Sequence, residues 1–342
     1  MEHKRVIFVV GAGASSEVGL PLGNQLKGII ANHLKNERSS EINSALLREA
    51  HKSSDSSFQN KAYAASQKIA KAMAQAPSID NFVNAHADDA YVKLCAKLAI
   101  VTTILRAERE STLWCETFPQ KDQINYRRIK DTWFARFFDL ITSDCRHQDL
   151  EPRLSSIAMI IFNYDRCVEH YLHLAFQNYY TISESDAAEL VSKIEIYHPY
   201  GSCGSLDFQD NTNGIGFGEH VTSEELANAS EGIRTFTEGT DSSKSNIEAL
   251  RECIGLGEKM VFLGFAFHDI NLKLLSAKRS GSGGVITILG SALGLSDRDI
   301  ELLGEELPQN FDTISQKVTL RRLRSGDLLS EYARDIARSL SH

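Results

Sequence analysis

A glycine-rich turn near the start of the sequence has the residue types that hold a phosphate group. Gly11, Gly13 and Ser15 follow the apolar run 6–10 and precede a helical pattern over 21–34. A turn of this kind presents backbone N–H groups to a diphosphate, and the positive end of the helix dipole attracts its negative charge. Turns with the pattern Gly-x-Gly also connect strands to helices for purely steric reasons, so the turn alone leaves both interpretations open.

Three polar side chains follow two further apolar runs. Asn163 and Asp165 come after the run 156–162, and His198 comes after 194–197. Ligands of open α/β sheets bind at the carboxyl ends of strands, where an amide, a carboxylate and an imidazole could position a substrate or accept a proton. Structural roles explain the same residues, because Asp165 could cap a following helix and His198 could be a satisfied strand-end histidine.

Hydrophobic periodicity predicts the elements that position these residues. Apolar runs predict strands over 6–10, 156–162, 194–197, 260–264 and 285–289, and helical spacing predicts helices over 21–34, 91–105, 132–141, 166–176 and 328–340. Strands that alternate with helices are typical of an α/β protein. We therefore predict a Rossmann-like, doubly wound, mostly parallel sheet.

Composition divides the chain into two parts. Residues 37–153 are rich in Ala, Lys, Gln and Glu and show helical spacing, which predicts a helical insertion. The nucleotide-binding domain then consists of residues 1–36 and 154–342. Within it, the polar segment 204–245 predicts a long loop or lid, and residues 279–284 predict a second glycine-rich turn.

Charge and hydropathy argue against several classes of protein. The formal net charge of -8 disfavours a broad basic surface for nucleic acid, although Arg321, Arg322 and Arg324 form a local basic group. No apolar run has the roughly 20 residues that cross a bilayer, and the first residues lack the cleavage region of a signal peptide. The six cysteines are scattered without the spacing of a zinc site, which predicts a reducing, cytoplasmic environment and no bound metal.

The glycine-rich turn and its continuation resemble the phosphate-binding loop of the sirtuin family. Residues 11–21 read GAGASSEVGLP, and sirtuins have Gly-Ala-Gly-x-Ser followed at short range by Gly-x-Pro. Ser16 stands where the fingerprint of NAD-dependent dehydrogenases has its third glycine, which disfavours hydride transfer. After Pro21 the chain continues Leu-Gly-Asn instead of Asp-Phe-Arg, and this ending resembles the divergent, mostly bacterial sirtuin-like group.

Two later elements also resemble sirtuins. Asn163-Tyr164-Asp165 matches the Asn-x-Asp element, which in the family lies beside the ribose that carries nicotinamide. The next element of the family is His-Gly-Ser; here Tyr200 occupies the place of the histidine, and His198 lies two residues earlier with its side chain directed the same way on an extended backbone. The resemblance therefore implies catalytic roles for Asn163 and His198 and an orienting role for Asp165.

The adenosine half of NAD also has a matching segment. The stretch 260–271 resembles the sirtuin-like strand and turn that close over adenosine, although Asp269 and Asn271 could equally cap a helix. Asp80-Asn81 resembles an acidic-aromatic element near the pocket of divergent members, and a helix cap explains it equally well. The residues that the resemblance assigns to NAD binding are Gly11, Ala12, Gly13, Ser15, Ser16, Pro21, Tyr200, Gly264, Phe265, Asp269 and Ser291.

The resemblance implies an enzyme that takes NAD as its substrate and cleaves the bond between nicotinamide and ribose. Deacetylating sirtuins fold a zinc ribbon from two Cys-x-x-Cys pairs, and this sequence contains no such pair. Water then becomes the expected acceptor, and the expected activity is that of an NAD glycohydrolase. The alternatives are a non-catalytic sensor of NAD or ADP-ribose and an NAD-dependent protein deacylase.

The divergent group also implies a biological setting. Its members deplete NAD in antiphage defence, and those of similar single-domain size work with a separately encoded HerA-type DNA-translocating ATPase. Such an ATPase is therefore an expected partner. The helical insertion is the expected surface for a homo-oligomer, because helical faces can bury each other without disturbing the sheet.

Overall fold

A parallel six-stranded sheet organises the molecule. The computed structural model describes residues 5–35, 40–115, 124–210, 212–235, 238–239, 246–277, 285, 287–311 and 317–340. The strands are β1 (Arg5–Val10), β2 (Ile157–Ile161), β3 (Glu195–Tyr197), β4 (Gly257–Leu263), β5 (Thr287–Ser291) and β6 (Lys317–Arg321). All neighbouring pairs are parallel, and the order across the sheet is β3-β2-β1-β4-β5-β6, the strand order of the Rossmann fold. The predicted fold class is confirmed.

Strand β6 was not predicted from the sequence, because its residues do not form an apolar run. It lies at one edge of the sheet, its central residues are half-buried, and its two ends are exposed. Its last residue, Arg321, belongs to the basic group noted in the sequence. Arg321 Nε donates to the Tyr332 hydroxyl at 2.9 Å, and Arg322 pairs with Asp297 at 2.7 Å. Two of the three arginines therefore have partners within the protein.

Helices cover both faces of the sheet. In chain order they are α1 (Ala12–Ser15), α2 (Gly23–Lys35), α3 (Ser40–Lys52), α4 (Phe58–Ala72), α5 (Ile79–Ala85), α6 (Ala90–Glu110), α7 (Tyr126–Ile129), α8 (Trp133–Thr142), α9 (Leu150–Ser155), α10 (Cys167–Tyr180), α11 (Glu184–Ser192), α12 (Ser223–Glu231), α13 (Ile247–Leu256), α14 (Asp269–Leu275), α15 (Asp297–Asn310), α16 (Ser325–Glu331) and α17 (Ala333–Leu340). Among the described residues, no helix combines the length and apolar character that a membrane crossing requires.

Alternating strand residues divide the interior into two cores. On β1, Ile7 and Val9 enter one cluster of buried residues, which we call the first core. Val6, Phe8 and Val10 enter a second cluster on the opposite face, which we call the second core. This alternation follows from the two-residue period of a strand, and its apolar character on both faces is typical of a parallel sheet with helices on each side.

The segment predicted as a helical insertion contributes to both cores. Its helices α3 to α6 pack in the first core together with α2, whereas α7, α8 and α9 pack in the second core. The described part of 37–153 is therefore part of the layers that enclose the sheet. The domain boundaries given above stay a prediction.

One helix lies where the sequence predicted a loop or lid. Residues 223–231 form α12, so the prediction of a loop is wrong there. Thr222 accepts a hydrogen bond from the backbone N–H of Glu225, and the Glu225 side chain accepts one from the backbone N–H of Thr222. The spacing of Thr222 and Glu225 is the sequence pattern of a helix start, but the polar composition of the segment favoured a loop. Residues 211, 236–237, 240–245 and the glycine-rich turn 279–284 lie outside the described residues.

Candidate functional site

The loops that follow β1 and β4 contact each other through glycine backbones. The N–H of Gly11 donates to Leu263 O at 2.9 Å, and the N–H of Gly13 donates to Gly264 O at 2.9 Å. A Cβ on Gly13 would lie 2.8 Å from Gly264 O, and a Cβ on Gly264 would lie 2.0 Å from the backbone nitrogen of Ala14. Gly264 also has a φ of +57°, which disfavours other residues. The protein itself thus requires these glycines, whatever ligand the loop binds.

Ser15 joins the end of β1 to the end of β2. Its Oγ accepts a hydrogen bond from Asn163 Nδ2 at 2.8 Å and donates one to Asp165 Oδ1 at 3.2 Å. The exposed fractions of Ser15, Asn163 and Asp165 are 1%, 8% and 3%. Within the described residues, no protein group is hydrogen-bonded to Asn163 Oδ1. This acceptor is therefore the part of the cluster that remains for a ligand or water.

Asp165 contacts both the loop after β1 and the start of α10. Its Oδ1 accepts the Ser15 hydroxyl and the backbone N–H of Cys167, each at 3.2 Å, although the N-cap residue of α10 is Arg166. Burial raises the pKa of Asp165, and its hydrogen bonds to Cys167 and Ser15 oppose that rise. A carboxyl with these partners holds the Ser15 hydroxyl in place, and the orienting role predicted for Asp165 stays a prediction.

The half-buried His198 pairs with the buried Glu169, a residue that the sequence analysis did not single out. His198 Nε2 lies 2.8 Å from Glu169 Oε1, and His198 Nδ1 lies 3.3 Å from the backbone oxygen of Asn163. Both partners are acceptors, so both ring nitrogens donate when the imidazole is protonated. Burial lowers the pKa of His198, but the Glu169 carboxylate outweighs it and the net pKa is raised. The same pairing lowers the pKa of Glu169 against the effect of burial.

Tyr200 and Tyr164 connect the strand ends to two helices. The Tyr200 hydroxyl donates to Asn271 Oδ1 on α14 at 2.7 Å. The Tyr164 hydroxyl donates to the carboxyl group of Asp80 on α5. Ser78, not Asp80, caps α5, and Asn271 contacts a side chain instead of capping α14. Asp80 and Asn271 therefore lie beside the candidate site, and the capping alternatives are wrong for both.

The remaining residues assigned to NAD lie at the same edge of the sheet. Ser291 Oγ accepts the N–H of Gly264 at 2.7 Å, which fixes the loop after β4. Phe265 is buried, with its ring centroid 5.0 Å from that of Phe162. Ala12, Gly13, Ser16 and Pro21 are half-exposed, and Asp269 is exposed at the first residue of α14.

Hydrogen bonds connect these strand ends in the order of the strands across the sheet. His198 after β3 contacts Asn163 after β2, and Asn163 contacts Ser15 after β1. The same loop continues through Gly13 to Gly264 after β4, and Gly264 contacts Ser291 on β5. The structure thus brings the predicted residues of five strands into one hydrogen-bonded row. This row crosses the switch point between β1 and β4, where ligands of open α/β sheets bind.

Two carboxylates that the sequence analysis missed hold the surrounding elements in place. Glu108 at the end of α6 forms a buried bidentate pair with Arg166, at 2.6 Å to Nη2 and 3.1 Å to Nε. Arg166 also donates to Ile215 O at 2.6 Å, and Gly218 N–H donates to Glu108 Oε2 at 3.2 Å. The pair therefore fixes residues 215–218 against α6 and α10.

Glu17 anchors the loop after β1 to the second core. One of its carboxylate oxygens accepts the N–H of Trp133 at 2.7 Å, and the other accepts the N–H of Gly326 at 3.2 Å. These N–H groups belong to the first turns of α8 and α16, which the helix dipole makes favourable positions for a carboxylate. Charged residues of this kind act across long sequence separations, so no local pattern identifies them.

One cavity is lined in part by His198, a residue predicted to be catalytic. It has a volume of about 280 Å³ and is lined by residues of the loop after β3 and of α13. A larger cavity of about 850 Å³ lies on the outer side of α10, where His170 stacks on Phe217 and His173 stacks on Phe208. None of the predicted site residues is among those lining the larger cavity.

Comparison with known proteins leaves the site to be judged on its own geometry. Among the described residues, no group of three or more His, Cys, Asp or Glu side chains could hold a metal ion. No protein-family model matches the chain, and a search of curated proteins finds no significant match.

Proposed function

We propose that this protein is an NAD glycohydrolase that resembles the divergent, bacterial sirtuin-like group. The observation that carries the proposal is the buried cluster of Ser15, Asn163 and Asp165 at the carboxyl ends of β1 and β2. An amide held in place at a strand end provides fixed dipoles where positive charge develops on a ribose. The motifs that suggested the family are thus consistent with a position at the switch point of a Rossmann sheet.

The proposed reaction converts NAD and water to nicotinamide, ADP-ribose and a proton. Nicotinamide leaves with the electrons of its bond to the ribose, and a water oxygen forms the new bond at the anomeric carbon. Asn163 Oδ1 would accept a hydrogen bond from that water, while Ser15 and Asp165 fix the amide plane. The half-exposed residues Ala12 and Ser16 would lie next to the diphosphate, whereas the backbone N–H of Gly13 already donates to Gly264 O.

The role of His198 depends on one hydrogen bond. To accept the proton released from water, Nδ1 must first lose its proton and its 3.3 Å contact with the backbone oxygen of Asn163. The alternative is that His198 and Glu169 together fix the position of Asn163, in which case His198 is a positioning residue.

The hydrogen bonds of His198 also favour a second function. Both ring nitrogens of His198 are engaged by protein acceptors, so the described structure contains no imidazole at this site that is free to act as a base. A protein that binds NAD or ADP-ribose without cleaving NAD would need no such base. We therefore keep a nucleotide sensor as the competing proposal.

The deciding experiment measures NAD binding and nicotinamide release by the purified full chain. Wild type, Asn163→Ala and Ser15→Ala are compared, with Asn178→Ala as a control because Asn178 is an exposed asparagine on α10. We expect Asn163→Ala to lower the rate at least about 100-fold, as the loss of a fixed dipole at a reacting centre does. Ser15→Ala should lower it less, because the amide remains but loses a hydrogen bond.

Each outcome assigns a function. Hydrolysis by Asn163→Ala at the wild-type rate would remove Asn163 from the site. Tight NAD binding without nicotinamide release, in the presence and absence of the product of a neighbouring gene, would identify a sensor. Absence of both binding and hydrolysis under both conditions would contradict both proposals.

From the resemblance alone, we also propose a biological setting. The protein would act in the cytoplasm as a homo-oligomer, with a HerA-type ATPase as partner, and would deplete NAD during antiphage defence. An enzyme that removes NAD must be inactive by default, which is why the assay above includes a partner protein. A rate that does not change when the ATPase is added would contradict control by that partner.

A further inference from the structure

The cavity beside His198 has the features of a second binding site, which adjoins the site of the proposed reaction. It lies where β3 ends, between the loop that follows this strand and α13. Its polar wall contains His198, Ser202, Arg234 and Asn246, and its apolar wall contains Ile247 and Leu250.

Arg234 is a half-buried cation without a carboxylate partner. Its Nη1 lies 3.4 Å from the backbone oxygen of His198, and no carboxylate among the described residues pairs with its guanidinium. The backbone at this point is fixed, because the Arg234 N–H donates to Tyr200 O at 2.9 Å. A guanidinium offers five N–H donors in a planar fork, so most of its hydrogen-bonding capacity remains for a ligand.

The other charges near the cavity do not neutralise Arg234. Glu169 pairs with His198 through Nε2 at 2.8 Å, and each balances the charge of the other. Among the described residues that line the cavity, none is acidic. The described lining therefore carries one positive charge without a carboxylate partner, and a bound anion would offset the cost of holding that charge away from bulk water.

The volume limits the size of the ligand. Small-molecule pockets span about 300–1,000 Å³, and the 280 Å³ of this cavity falls just below that range. A whole dinucleotide is too large, whereas a single phosphate or carboxylate group on a small molecule fits. We propose that this cavity is an anion-binding site in which Arg234 holds a phosphate or carboxylate group of a small metabolite, and that it shares His198 with the site proposed for NAD.

Inorganic phosphate is the probe for this proposal. Equilibrium dialysis of the full chain at constant ionic strength should give saturable binding of one phosphate per chain. Arg234→Gln should weaken binding at least about tenfold, because charge-assisted hydrogen bonds are stronger than neutral ones. Arg234→Lys keeps the charge but loses the planar fork, so its affinity should lie between those of wild type and Arg234→Gln.

The control is Arg298→Gln, which removes an exposed arginine on α15 that pairs with Glu301 at 3.1 Å. It should leave phosphate binding unchanged. Acetate that competes with phosphate would identify a carboxylate as an acceptable ligand, and failure to compete would assign the site to phosphate. Absence of saturable binding of either anion to wild type, or equal phosphate affinity for wild type and a folded Arg234→Gln, would overturn the proposal. Because NAD is not part of the measurement, a failed NAD assay does not affect this result.

Discussion

At the residue scale, the pairing of His198 with Glu169 determines the charge of the candidate site. Glu169 is buried and His198 is half-buried, and each is the main influence that keeps the other ionised. The pair stabilises the folded protein only while both are charged. Its contribution is lost as the pH rises through the raised pKa of His198, and it is lost as the pH falls through the lowered pKa of Glu169.

Removing the carboxylate should reverse the sign of the pKa shift of His198. In Glu169→Gln, burial is the largest remaining influence, and burial disfavours the imidazolium. We expect the pKa of His198 to fall from above its ordinary value of 6.5 to below it. An NMR titration of the histidine ring signals, with the His198 signal assigned from its loss in His198→Asn, measures this change.

The control for that titration is Glu248→Gln, an exposed glutamate in the first turn of α13. It should leave the His198 signal unchanged. If His198 titrates at the same pH in wild type and Glu169→Gln, the ion pair does not exist in solution and the positioning role of His198 is excluded.

At the element scale, the backbone contact between the loops after β1 and β4 sets the geometry of the switch point. Gly264 has two separate requirements, a positive φ of +57° and the absence of a Cβ against Ala14. Gly294 has a positive φ of +89° but nothing within 4 Å of the position of a Cβ. Substitutions at the two glycines can therefore be compared to separate the cost of backbone strain from the cost of a steric clash.

Gly264→Ala and Gly294→Ala should have unequal effects on the free energy of unfolding. The strain at positive φ costs each variant about 1–2 kcal/mol. Gly264→Ala adds a backbone clash, and forced repacking costs roughly a further 1–3 kcal/mol. Urea denaturation followed by circular dichroism measures both values. Equal losses for the two variants would show that the loops are not in contact.

At the scale of the whole molecule, the described part of residues 37–153 belongs to both faces of the fold. Helices α3 to α6 cover the first core, and α8 and α9 cover the second. If these helices folded apart from the sheet, strand residues such as Ile7 and Phe8 would lose most of their cover. The predicted insertion and the sheet are therefore expected to unfold together.

Two spectroscopic signals test this expectation, because both tryptophans of the chain report on one side of the sheet. Trp133 is buried in the second core, and Trp114 packs against it. Far-ultraviolet circular dichroism reports on all helices, including those of the first core. Thermal unfolding should give the same midpoint by fluorescence and by circular dichroism. A separate transition that circular dichroism detects and fluorescence does not would identify α3 to α6 as an independent unit.

Local sequence patterns predicted the strands and helices whose own residues show a regular hydrophobic pattern. Strands β1, β2 and β4 were found because they contain long apolar runs that are buried on both faces, and β3 and β5 were found from shorter runs. Strand β6 was missed because Lys317, Thr319 and Arg321 leave it without an apolar run. Asn163 and Ser15 were found by their positions after apolar runs. Glu169 was missed because its partner His198 lies 29 residues away, and nothing in the helical pattern of α10 distinguishes it from a solvated glutamate.

The buried pair of Glu108 and Arg166 has a consequence for the order in which the chain folds. Burying either charge alone would cost several kcal/mol, so neither leaves water until the other is in place. The two residues belong to α6 and to the start of α10, and their remaining hydrogen bonds go to residues 215–218. We therefore expect these three segments to assemble together. A partly folded chain that lacks one of them would leave a buried charged group without some of its hydrogen-bond partners.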